Sequence, residues 1–168
     1  MGIFDSKSDT FGINVFGQTA KETFDASKLA EGFRNRPGSD ISIPEAYLTL
    51  LLAAAGADGS LGPEERQLML WISQRSRVLR HLSVEALAVA NENVLRRAQA
   101  GGNVLMDACN ALPGDIVPSA FAHCIQLTLA DGELDHEESQ FIQELADALK
   151  ISQADASKIL EVLLIAAS

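Results

Sequence analysis

Ala57-Asp58-Gly59-Ser60-Leu61-Gly62-Pro63-Glu64-Glu65 and Ala130-Asp131-Gly132-Glu133-Leu134-Asp135-His136-Glu137-Glu138 are two versions of one turn, 73 positions apart. Ala, Asp, Gly, Leu and both Glu recur in register, and Gln67 recurs as Gln140. The flanks keep their apolar character: Leu52 matches Ile125, Leu68 matches Phe141, Met69 matches Ile142 and Ile72 matches Leu145. Each copy therefore reads as helix, short turn, helix, with the same face buried. Polar identities in a turn are harder to obtain from composition than apolar ones in a helix. The duplication predicts an all-α fold, a compact bundle of about seven to eight helices with an internal pseudo-two-fold repeat of helix-turn-helix units. The repeat cores are expected at 46–73 and 119–146.

Composition agrees with helices. The chain has 168 residues, enough for one domain with a real core. It is 47% apolar but only 5% aromatic, so that core must be built mostly from Leu, Ile, Val and Ala. Stretches rich in Ala and Leu, and poor in β-branched and aromatic runs, favour helix over strand.

Punctuation divides the chain further. Asn35-Arg36-Pro37-Gly38-Ser39-Asp40 is a breaker, so residues 1–40 read as a separate, partly ordered segment and 41–168 as the helical domain. Within the segment, Lys21–Phe33 reads as a candidate helix, since Phe24, Leu29 and Phe33 give it roughly one apolar face, and Phe11, Val15 and Phe16 are candidates to dock on the body. Beyond it, Ser42 caps a helix running to Ala57, with Pro44 in its first turn. Pro63 opens a helix to about Val78, and Ser83 caps Val84–Gln99. A short helix spans Asn103–Leu112 and ends at Pro113-Gly114. Pro118 starts one that ends at Asp131-Gly132. Asp135 caps the next, to about Leu149, and Ser152 caps Gln153–Ala167.

The formal net charge of −10 argues against nucleic acid, whose phosphates need Lys and Arg, and against an anionic membrane surface. The acidity is concentrated: seven acids lie between Asp131 and Asp147, with no Lys or Arg among them. Such a stretch attracts cations or a basic partner. Cys109 and Cys124 are isolated in apolar patterns, and no Cys-x-x-Cys pair occurs, so a reducing, cytoplasmic compartment is expected. No apolar run reaches membrane-span length and no secretory signal pattern is present, so direct membrane insertion is not expected. Met1-Gly2-Ile3-Phe4-Asp5-Ser6 matches the N-myristoylation pattern formally, but no polybasic stretch follows to supply a second anchor; chance is the simpler reading.

The duplicated turn poses an electrostatic problem. Glu65 lies three, four and seven residues before Leu68, Met69 and Ile72, which puts all four on one face. Glu138 stands in the same relation to Phe141, Ile142 and Leu145. Each second Glu thus begins the core-facing stripe of its helix, whereas Glu64 and Glu137 sit one position round and wetter. A carboxylate at a core edge is costly unless its charge is compensated. Asp58 and Asp131 each close a helix, where the macrodipole disfavours an anion. A divalent cation would answer both, and oxygen-only ligands point to Ca²⁺ or Mg²⁺ rather than Zn²⁺. An EF-hand is excluded: Asp-Gly-x-Leu-x-x-x-Glu fits loop positions 5, 6, 8 and 12, but positions 1 and 3 hold Ala54 and Gly56, or Leu127 and Leu129. One turn alone offers too few ligands for tight binding, so two turns cooperate, or water and a partner complete the shell. Capping accounts for the same residues without metal. Asp135-x-x-Glu138 reads as a capping box, and Gly62, Pro63 and Glu65 take N-cap, first and third helical positions in the first copy.

The two Ala-Asp-Gly turns, each followed at short spacing by Glu, resemble the tellurite-resistance B (TerB) family, from about Ile43 to the C-terminus. The resemblance implies an all-α fold and a metal-cation site. It also implies a role in resistance to tellurite and other stresses, with membrane-associated and calcium-binding protein partners. The positions carried over as ligands are Asp58, Glu65, Asp131 and Glu138, with Glu64 and Glu137 as additional candidates.

Other constellations carry less. His81, His123 and His136 are too far apart for a local zinc site; His123 falls in an apolar helix, and His136 is matched by Pro63 in the first copy. Arg75, Arg77, Arg80 and His81 read as compensation of a helix dipole, with an anion or acidic-partner site as the minor alternative. No nucleophile elbow, P-loop or dinucleotide glycine pattern occurs, and no nucleophile or base accompanies the paired carboxylates. The expected function is a non-enzymatic, cation-binding interaction protein; the alternative is a structural scaffold or interaction module without metal. A homodimer is compatible with either.

Overall fold

The computed structural model describes residues 41–56 and 62–168. Seven helices and no strand lie within them: α1 Ile43–Ala55, α2 Pro63–Arg75, α3 Val84–Ala100, α4 Val104–Ala111, α5 Val117–Thr128, α6 His136–Ala148 and α7 Gln153–Ala167. The helix expected over Lys21–Phe33, the docking of Phe11, Val15 and Phe16, and Asp58 itself lie outside the described residues.

α1 is the hub. Ser42 accepts a hydrogen bond from the Glu45 N–H at 3.3 Å, and a proline occupies the first turn. Every residue from Ala46 to Ala55 is buried, as an Ala- and Leu-rich helix without a polar stripe must be. It packs against α3, α4 and α5. Around it α2 and α6 lean on α5, α6 also touches α4, and α7 lies along α5. The core is aliphatic, with Tyr47, Phe121 and Phe141 as its buried aromatic rings. Thr49 and Thr128 are buried but donate to the carbonyls of Glu45 (2.7 Å) and Ile125 (2.8 Å), which removes the penalty of a dry hydroxyl.

Three helix ends differ from expectation. α1 stops at Ala55, two residues early, with the Gly56 N–H on the Leu52 carbonyl at 3.1 Å. α2 stops at Arg75 rather than Val78. There Ser76 turns its hydroxyl to the N–H groups of Val78 (3.2 Å) and Leu79 (3.3 Å). It thereby offers the backbone an alternative to further helix and drops Leu79 into the core. α5 stops at Thr128 and is followed by a short turn before Asp131. α6 ends in a Schellman arrangement: Ile151 N–H reaches the Ala146 carbonyl (2.9 Å) and Lys150 N–H the Asp147 carbonyl (3.1 Å). Lys150 takes the left-handed position, φ 59°, that usually falls to glycine.

The helix pairs flanking the two turns keep one register. α1 and α5 end at Ala55 and Thr128, α2 and α6 begin at Pro63 and His136, and these end at Arg75 and Ala148; each pair is 73 positions apart.

Candidate cation site

The second turn is described in full. Gly132, at φ 92°, returns its N–H to the Leu129 carbonyl at 2.9 Å, a backbone conformation that L side chains rarely adopt. Asp131 is exposed, and its Oδ1 accepts the Glu133 N–H at 3.2 Å, an Asx turn that sets the direction of the chain. Leu134 packs partly on the core. Then α6 starts with a complete capping box. Asp135 Oδ1 accepts the Glu138 N–H at 2.8 Å, and Glu138 Oε2 accepts the Asp135 N–H at 2.9 Å. Glu138 is only 5% exposed, whereas Glu137 and Glu133 face solvent.

In the first turn, Asp58 lies outside the described residues, and the chain resumes at Gly62. Gly62 is the N-cap of α2 and has no side chain to accept a backbone N–H, and a proline stands in the first turn. Glu65, at the third position, is 9% exposed. Its carboxylate folds back over Gly62, so a Cβ there would lie 2.5 Å from Glu65 Oε2. Such a Cβ would have to displace the end of the Glu65 side chain rather than backbone, and Gly62 itself is extended at φ −80°. Glu64 is exposed. Below Glu65, Met69 and Ile72 are buried and Leu68 is partly so; below Glu138, Phe141, Ile142 and Leu145 are buried. Each second glutamate does begin a core-facing stripe.

The donor chemistry suits a hard cation, but much of it is already engaged. One oxygen of Asp131 and one of Glu138 hold backbone N–H groups. Among the described residues no three His, Cys, Asp or Glu side chains gather where one ion could be held. A cation at the second turn would therefore draw most of its shell from water, from the Asp58 turn or from a partner.

The remaining titratable groups have other roles. His123 lies half-buried on α5, its Nδ1 2.5 Å from the Tyr47 hydroxyl, and Ser119 Oγ stands 3.4 Å from that hydroxyl. Burial holds the His123 pKa below its ordinary value and raises that of Tyr47. Cys109 and Cys124 are free and buried; burial pushes the Cys109 thiol up to about 12 and the Cys124 thiol upward as well. Of the arginine cluster, only Arg75 lies in the last turn of α2, with its guanidinium 4.9 Å from the centre of the exposed Trp71 ring. Arg77 and Arg80 come after the helix has ended: Arg77 pairs with Asp115 at 2.7 Å, and Arg80 Nε donates to His81 Nε2 at 3.1 Å. Dipole compensation thus covers one member of the cluster. The sequence reading missed Glu45, whose Oε1 accepts from Asn93 (3.2 Å) and whose Oε2 faces Arg97 Nε (3.4 Å). Arg97 closes α3, but the acid it meets is on α1, and no local spacing signals that meeting.

No helix of the described residues is long and apolar enough to cross a membrane. A sequence model of the family described as Tellurite resistance protein TerB matches residues 44–161. This span covers α1 from its second residue, α2 to α6 and α7 as far as residue 161, and both turns fall inside it. The chain belongs to that family. Comparisons with curated proteins and with solved structures give no significant match.

Proposed function

We propose that this TerB-family chain is a non-enzymatic interaction module of the tellurite and wider stress response, whose two acidic turns bind a hard divalent cation, Ca²⁺ or Mg²⁺ rather than Zn²⁺. The observation that carries this reading is the equivalent placement of Glu65 and Glu138. Both are buried carboxylates at the third position of a helix that follows an Ala-Asp-Gly turn. Asp131 supplies the exposed half of the second pair, Asp58 is its counterpart in the sequence of the first turn, and Glu64 and Glu137 are additional donors at the rim. With few protein donors per turn, binding is weak and open to completion by a partner, which fits a module that reports a cation to another protein. Membrane-associated or calcium-binding stress proteins are the partners the family suggests, and a cytoplasmic setting suits the free thiols.

Calorimetry with Ca²⁺, Mg²⁺, Mn²⁺ and Zn²⁺, with melting in the presence and absence of chelator, tests the proposal. Ca²⁺ or Mg²⁺ should release or absorb heat and raise the melting temperature. Asp131→Asn should abolish the part due to the second turn without altering the melt in chelator, because Asp131 is exposed. No heat and no metal-dependent shift would sink the cation reading.

The capping box favours a second reading, a structural scaffold or interaction module without metal. On that reading Glu138→Gln lowers stability equally with and without metal.

A further inference from the structure

α7 ends in Ile159-Leu160-Glu161-Val162-Leu163-Leu164-Ile165-Ala166-Ala167, apolar on nearly every side. Helices of that kind are normally enclosed, and α1 shows the usual outcome, buried without interruption from Ala46 to Ala55. α7 is different, for none of its residues is buried. Ala156, Ile159, Leu160 and Leu163 lean on the core. At about 100° per residue, Ile165 centres the opposite face, with Val162 and Leu164 on its two sides. Their exposures are 74%, 63% and 41%. Among the described residues, only one side of the helix has a partner.

We propose that residues 11–33 of this same chain dock on the outer face of α7, with Phe11, Phe16, Phe24 and Phe33 as the anchors. Four of the seven phenylalanines lie within residues 11–33, each ring able to bury about 150–250 Å². Its tether is fixed to the body: Ile41 packs on the core and Ser42 caps α1. Eight extended residues span at most about 26–29 Å, and a domain of this size has a radius of gyration of about 14 Å. Phe33 therefore reaches a large part of the surface and Phe24 all of it. Tethering sets an effective concentration on the order of millimolar. A second copy must instead approach against a formal charge of −10 on each chain.

The test uses the full chain with Ser168→Cys carrying a nitroxide. Cys109 and Cys124 are buried, with thiols pushed above their ordinary range, and do not compete for the label. In ¹⁵N-labelled protein, the amide signals of residues 11–33 are expected to broaden to an extent that does not change on dilution. Ile165→Glu should abolish that broadening while leaving the signals of Met69 and Ile72 in place. Absence of broadening overturns the proposal, as does broadening that survives Ile165→Glu. Broadening of unlabelled ¹⁵N chains mixed with spin-labelled ¹⁴N chains also overturns it, since a second copy would then occupy the face.

Discussion

The Tyr47 hydroxyl and His123 Nδ1 meet at 2.5 Å across 76 positions of sequence, joining the hub helix α1 to α5. Burial raises the Tyr47 pKa, so the hydroxyl keeps its proton, and it shares one hydrogen bond with the imidazole whose direction follows the His123 tautomer. Burial disfavours the charged form of His123, so the neutral ring is favoured in the fold.

This pairing makes stability pH-dependent with a defined sign. Burial depresses the His123 pKa below its ordinary 6.5. The unfolded chain therefore binds the proton more readily than the folded one, and stability rises with pH between the two values. The contribution of His123 is complete above about 6.5 and is lost as pH falls from there to the folded pKa. The melting temperature should drop between pH 7.5 and 5.5, and His123→Gln should flatten that drop. Tyr47→Phe should lower stability by about 1 kcal/mol, since it leaves a half-buried ring nitrogen without its hydroxyl partner. Thermal melts of the three proteins across the pH range check both expectations.

The two helix starts can be tested against each other. Asp135→Ala removes the side chain that caps α6 and should cost about 1 kcal/mol, or about 2–4 °C in melting for a chain of this size. Gly62→Ala should cost a similar amount by a different route, because the new Cβ displaces the Glu65 carboxylate from its place over residue 62. Urea unfolding reads both as a lower midpoint at unchanged slope. An unaffected Gly62→Ala variant would show that the Glu65 carboxylate has another low-energy position.

Lys150 invites a stabilising change. It holds φ 59° at the end of α6, where a Cβ is unfavourable, and its neighbours complete the Schellman hydrogen bonds without its side chain. Lys150→Gly should raise stability by about 0.5–1 kcal/mol, the relief of left-handed strain being partly offset by greater freedom of the unfolded chain. The same urea titration checks it.

Most helices were legible because their causes are local. Ser42, Ser83, Asp135 and Ser152 sit at the positions where their side chains accept from the backbone three residues on, and all four were read as caps. The core face of α6 followed from the spacing of Phe141, Ile142 and Leu145 behind Glu138. The end of α2 was misplaced because Ser76 competes for the backbone only once Leu79 has a core to enter.

The sequence by itself therefore determined the helical class and the caps, since these depend on residues within one or two turns of each other. The tertiary structure alone decided that α1 is enclosed on all sides, that Tyr47 answers His123, and that Glu45 answers Arg97 and Asn93. Such pairings join residues far apart in the chain, and their partners are set by how helices pack, which periodicity along one helix does not encode.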